Sequence, residues 1–150
     1  MGHLYLEDLS VGQMYHSQRI TVEADRVKAF ATDFDPQPFH LDDDAARQSI
    51  FGALAASGWH TAALTMRLLV EGEFRPVGGV IGAGVDELRW PRPVRPGDTL
   101  QVASEVIEVR PSKSKPGQGV ARTRVTTTNQ RGEVVQVFVA TLIVPRRPAA

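Results

Sequence analysis

The sequence predicts an α+β domain, a curved antiparallel sheet wrapped around one long apolar helix. Three observations predict it. Residues 58–70 contain Trp59, Ala62, Ala63, Leu64, Met66, Leu68, Leu69 and Val70, with Arg67 the only charge before Glu71; a helix apolar on nearly every side is a buried one. Four long segments follow, 80–90, 99–109, 120–128 and 134–144, dense in Val, Thr and Ile, which suit strands. Turn formers separate them: Pro91, Pro93 and Pro96-Gly97-Asp98, then 111–119, then Asn129-Gln130-Arg131-Gly132. Strands joined by short turns pair antiparallel.

The remaining elements follow in chain order. Residues 4–12 have mixed polarity and form an entry loop. Residues 15–22 carry the β-formers Tyr15, Ile20, Thr21 and Val22 and make a first strand. Thr21 or Glu23 opens a helix with Val27, Phe30 and Ala31 at inward spacing and Arg26 and Lys28 outward. That helix cannot continue through 33–39, because Pro36 and Pro38 each lack a backbone donor and push their predecessors to extended geometry. Residues 42–48 make a short helix capped by Asp42, and 51–53 a loop. The last strand is apolar at both parities and is expected to be covered on both faces. Segment 111–119, with Lys113 and Lys115, is expected to be a mobile basic loop, and 145–150 a frayed tail.

Composition excludes several function classes. A chain of 150 residues is most simply one domain, 1–150, large enough for a real core. Formal net charge is zero and the pI is near 6.9, unlike the basic excess of nucleic-acid binders. There is no cysteine, so disulfides, thiol nucleophiles and Cys-ligated zinc are out. Asp42-Asp43-Asp44 lacks the spacing of a calcium loop, and no metal is expected. No Gly-rich nucleotide loop points to NAD or ATP. Glu7 and Asp8 interrupt any secretory signal, and no apolar run reaches the roughly 18 residues of a membrane span; a cytoplasmic protein is expected.

The chemistry-bearing stretch is Asp35-Pro36-Gln37-Pro38-Phe39-His40. It sets a carboxylate and an imidazole near each other across two prolines that stiffen the loop. Further on, Ser57 and Gly58 open the apolar helix. A proton-transfer pair and a helix N-terminus able to face a developing oxyanion are what addition of water beside a carbonyl needs. Asp33 is the alternative carboxylate, at longer spacing from His40. Ser57 suits an N-cap better than a nucleophile, since no Gly-x-Ser-x-Gly surrounds it. Trp59 suits core or pocket wall. His60, in the first helical turn, is a candidate to line the pocket, though a structural or gating role suits it better, and His3 and His16 suit the surface.

Asp35, Pro38, His40, Asp42 and Gly58, followed by Trp90-Pro91-Arg92-Pro93-Val94-Arg95-Pro96-Gly97-Asp98-Thr99-Leu100, resemble the MaoC-like acyl dehydratase and (R)-specific enoyl-CoA hydratase family. The resemblance spans nearly the whole chain. It implies a hotdog fold and a lyase that adds or removes water across the 2,3 double bond of an acyl thioester. Asp35 and His40 would hold the water and Gly58 would face the oxyanion. CoA or an acyl carrier would enter only as part of the substrate. The family also implies a homodimer with a continuous sheet, or a higher homo-oligomer built from such dimers. Two departures stand out: Gln37 where the family usually has Asn, and Ser57 where many members have His. Arg110, Lys113, Lys115, Arg122 and Arg124 are candidates to meet CoA phosphates, and Ala53, Leu54, Ala55 and Trp59 to shape the acyl end. A hotdog thioesterase and a non-catalytic acyl-binding subunit are the competing readings.

Overall fold

The computed structural model describes residues 3–149. A 3-10 turn (Leu6–Asp8) leads into β1 (Met14–Thr21), α1 (Ala24–Phe34), α2 (Pro38–Leu41), α3 (Asp43–Arg47) and α4 (Gly58–Glu71). Then come β2 (Ile81–Arg89), β3 (Thr99–Pro111), β4 (Gln118–Thr128) and β5 (Val134–Pro145). The five strands form one sheet in the order β1-β3-β4-β5-β2, every neighbouring pair antiparallel. This is the expected hotdog: a single α+β domain with α4 on the sheet's concave face.

The two prolines divide the work between them. Asp35 caps the end of α1, with its N–H on the Ala31 carbonyl, and Pro36 stops the helix there. Pro38 does not forbid a helix, as expected from sequence, but starts one: it is the first residue of α2, where no N–H is needed. Asp42 caps α3 by accepting from the Ala45 N–H at 3.1 Å. Ser57 caps α4, its Oγ accepting from the Trp59 N–H at 3.2 Å.

Beneath α4, Leu68 and Leu69 pack with Val27 from α1 and Leu100, Val102, Val125 and Val135 from the sheet. A second cluster holds Leu6, Leu9, Phe74, Ala121, Leu142 and Val144. The segment read as an entry loop therefore supplies two core residues. The tail expected to fray is held to the same segment, Arg146 by Glu7 at 3.0 Å and Arg147 by Asp8 at 2.5 Å.

Two expectations about burial need correction. Helix α4 is not enclosed on all sides. His60, Thr61, Thr65, Leu68 and Leu69 are buried, but Trp59, Ala63, Met66 and Val70 form an exposed stripe. Strand β5 is buried on the face that carries Ala140, Leu142 and Val144; Val137, Val139, Thr141 and Ile143 on the other face are half-buried. Val and Ile there serve strand geometry rather than a second core layer.

Polar groups tie helix to sheet. Thr65, Thr127 and Gln136 are all fully buried. The Gln136 amide donates to Thr65 Oγ1 at 3.0 Å, and Thr65 and Thr127 share a hydroxyl bond of 2.7 Å. The Trp90 indole N–H donates to Gln136 Oε1 at 2.8 Å. Just before Trp90, β2 breaks register against β5 between Asp86 and Arg89, and Glu87 sits at φ 53°. A left-handed non-glycine residue at a bulge is a device for re-aiming a strand. No helix among the described residues is long and apolar enough to cross a membrane.

Candidate active site

The end of α1 and the α2 turn bring Asp35 and His40 together. Asp35 Oδ2 lies 3.3 Å from His40 Nε2, and both side chains are largely buried, at 18% and 6% exposed. Asp33 is exposed and has no part in this pair. On the other side of the imidazole, Nδ1 is 2.6 Å from the Ala55 carbonyl. A carbonyl has no proton to give, so Nδ1 carries the hydrogen, and Nε2 is the nitrogen left facing Asp35.

Asp35 is held as an anion. Burial pushes its carboxyl up, but hydrogen bonds from Gln37 and Ser57 and the neighbouring His40 outweigh that and hold it below its ordinary value. The Gln37 amide donates to Oδ1 at 2.5 Å. Gln37, one of the two residues that depart from the family pattern, therefore braces the carboxylate directly. Ser57, the other, caps α4 and also helps to lower the Asp35 pKa.

Behind the pair stands Arg95. Its guanidinium donates to the carbonyls of Phe51 at 2.5 Å and Ala53 at 2.7 Å, and the Ala56 N–H bonds to the Val94 carbonyl at 2.8 Å. Asp98, 5% exposed, accepts from the Arg95 N–H at 2.9 Å and from Gln130 Nε2 at 3.0 Å. Gly97, at φ +92°, allows the turn. The Pro-Gly-Asp segment thus clamps the loop that carries Ala55, Ser57 and Gly58. Its residues were visible in the sequence, but that Arg95 would chelate three carbonyls of a loop some forty residues upstream was not.

A cavity of about 260 Å³ is lined by His40, Phe51, Gly58, Thr61, Trp90 and Arg92 among others. Gly58 opens α4, where first-turn N–H groups lack helical partners. The Trp59 N–H is engaged by Ser57 Oγ, whereas among the described residues nothing accepts from the Gly58 N–H. Glycine is required here for a reason the sequence did not show. A Cβ on Gly58 would stand 2.5 Å from the Trp90 indole, which lies against it. Arg92, which the sequence offered only as part of the turn motif, is the cation on this wall; it also pairs with Glu133 at 3.2 Å.

Other candidates fall elsewhere. His60 points to the opposite side of α4, stacked on Phe30 at 4.8 Å, and lines a different cavity with Arg26 and Arg67. Among the described residues its Nδ1 is buried without a partner, and burial, then the Arg26 charge, lowers its pKa. Arg122 and Arg124 alternate with the buried Ala121, Thr123 and Val125, so they lie on the face away from α4. They pair with Asp86 and Glu105, as Arg110 does with Glu108. Lys113 and Lys115 are exposed in the turn after β3. β3 has 13 residues, which puts that turn roughly 40 Å along the strand from the Asp98 end. Within one chain, none of these five cations joins the pair. Ala53 is exposed and its carbonyl serves Arg95, while Leu54 and Ala55 are buried in the loop.

A protein-family model described as the MaoC like domain matches residues 9–129. The chain belongs to the MaoC-like family. It is 57% identical to a MaoC-like dehydratase from Rhodospirillum rubrum, whose crystal structure superimposes with a TM-score of 0.94 over 97% of this chain and 99% of that one. It is 32% identical to the 3-hydroxybutyryl-CoA dehydratase of Methylorubrum extorquens, over 98% of this chain and 88% of the relative. It is 29% identical to the (R)-specific enoyl-CoA hydratase of Rhodospirillum rubrum, over 95% and 93%. These three relatives are named as dehydratases or a hydratase, enzymes of the lyase class.

Proposed function

We propose that this protein hydrates 2-enoyl thioesters, and dehydrates the 3-hydroxyacyl products, using Asp35 and His40 with Gly58 at the oxyanion. The observation that carries the reading is one cavity lined by both His40 and the unengaged helix tip at Gly58, with the Asp35 carboxylate against the His40 nitrogen that the Ala55 carbonyl leaves free.

The reaction follows from that geometry. Water held by Asp35 and His40 Nε2 attacks the β-carbon. The pair takes one proton from it, and the electrons of the double bond move toward the thioester oxygen. The Gly58 N–H, at the positive end of α4, faces the negative charge that builds there. One such donor is worth on the order of 3 kcal/mol in the transition state. The enolate then collapses, and the α-carbon takes a proton from the pair, which returns to its starting state. Asp35 stays ionised between turnovers because its pKa is depressed, and the Ala55 carbonyl keeps Nε2 as the exchanging nitrogen.

The working unit we propose is a homodimer. β2 is an edge strand exposed at every residue except Leu88, including Ile81 and Val85. Such an edge invites pairing, and it adjoins Trp59 and Met66 of the α4 stripe. A second copy pairing β2 to β2 would extend the sheet and cover the stripe. Light scattering at micromolar concentration should give twice the chain mass, and a clean monomer would remove this part of the reading.

Crotonyl-CoA tests the chemistry. Loss of enoyl absorbance without release of free thiol is the expected result. Release of thiol would make the protein a thioesterase, and binding without either change would make it an acyl-binding subunit.

A further inference from the structure

We propose that Trp59 and Trp90 form an acyl-length filter that walls the small cavity at His40 and Gly58 off from a larger apolar cavity, so that this chain takes short acyl groups. The inference rests on the hydratase reading for where the thioester sits, and it concerns what the acyl tail can reach.

The larger cavity, about 630 Å³, runs between α4 and the sheet and is walled by apolar side chains such as Met66, Leu69, Val85, Leu88 and Phe138. That volume is within the usual range for pockets that enclose a whole ligand, and the 260 Å³ beside His40 is below it. The lining of the larger space is apolar enough for a long aliphatic chain, although its Trp59 and Met66 side lies on the stripe that a second copy would cover. What separates the two is the tryptophan pair. Trp90 is on the wall of the small cavity and Trp59 on the wall of the large one, and their rings meet edge to face at 5.3 Å and 81°.

The two leaves are held differently. Trp90 is fixed: its ring lies on Gly58, and its N–H is bonded to Gln136, which is bonded in turn to Thr65. Turning it away would leave the buried Gln136 carbonyl without its donor. The Glu87 bulge delivers Trp90 to this place. Trp59 is 58% exposed, and among the described residues its indole N–H has no hydrogen bond. Trp59 is thus the leaf whose removal joins the two spaces, and Gln136 is a positioning residue that holds the other leaf. The ring contact lies within one chain and is independent of what a second copy covers.

Saturated acyl-CoAs test the filter without turnover, because they have no double bond to hydrate. Binding of butyryl-CoA and dodecanoyl-CoA would be followed by calorimetry in the wild type, Trp59→Ala and Gln136→Met, with circular dichroism confirming the fold. The wild type is expected to prefer the short chain. Trp59→Ala should shift the ratio toward the long chain by roughly tenfold or more, and Gln136→Met in the same direction by less. A wild type that binds dodecanoyl-CoA as well as butyryl-CoA, or a ratio unmoved by Trp59→Ala, overturns the filter. Crotonyl-CoA turnover, measured in parallel, separates the two claims. A shifted ratio in a protein that hydrates nothing leaves the filter standing and removes the hydratase reading; turnover with an unmoved ratio does the reverse.

Discussion

His40 and His60 are buried almost equally, at 5% and 7% exposed, on two sides of the start of one helix. His40 has the Ala55 carbonyl on Nδ1 and the Asp35 carboxylate at Nε2, and it opens onto a cavity shared with the Gly58 helix tip. His60 lies flat on Phe30, with Nδ1 unpartnered and the Arg26 charge beside it. Burial alone therefore says little about whether an imidazole does chemistry. What counts is whether one nitrogen is pinned so that the other is free to exchange protons, and whether an electrophile can stand beside it.

Breaking the His40 side should give the largest effects. Asp35→Asn and His40→Gln should each lower kcat for crotonyl-CoA hydration by about 100- to 10,000-fold, the range for loss of a positioned acid-base group. Melting temperatures should stay within a few degrees. Gly58→Ala comes next. Its methyl would meet the Trp90 indole and move either the ring or the helix tip, so kcat should fall by about 100- to 1,000-fold, as for a lost oxyanion donor. A kcat within a factor of two of wild type would show that the Gly58 N–H faces nothing in the reaction.

Breaking the His60 side should do the opposite. His60→Leu removes a buried nitrogen that has no partner, so it should leave kcat within about threefold and raise stability by about 1 kcal/mol, measured by urea unfolding. A large loss of activity would erase the contrast between the two histidines.

The smallest effects are in pH dependence, where the two sides separate by window. His60 has a folded pKa below its ordinary 6.5, so the unfolded chain takes up its proton first and stability falls as pH drops below 6.5. Asp35 has a folded pKa below its ordinary 3.8; its contribution is complete above 3.8 and is lost as pH falls through the lower folded value. Urea midpoints against pH should lose the upper slope in His60→Leu and the acid slope in Asp35→Asn. Unchanged profiles would remove both assignments.

Much of this was legible in the sequence. The apolar run of α4, the β-branched strands and their turn formers set an antiparallel sheet around one helix, because local periodicity and turn chemistry agree over most of the chain, and the family resemblance added that this layout is a hotdog. Asp35, His40 and Gly58 could be singled out because the prolines and the helix start constrain their spacing. The bracing groups could not. Arg95 reaches the carbonyls of Phe51 and Ala53, and Gln136 reaches Trp90, across separations that carry no periodic signal. The exposed stripe of α4 was misread for a related reason. Apolar side chains that stay exposed and apolar side chains bound for a core have the same composition.

The most direct test is a double-mutant cycle on the pair, with kcat for crotonyl-CoA hydration measured in the wild type, Asp35→Asn, His40→Gln and the double variant. If carboxylate and imidazole hold one water and act as a unit, the double variant should be no more than about threefold slower than the slower single. Either single variant turning over at near the wild-type rate, or losses that multiply, would contradict a shared water between Asp35 and His40.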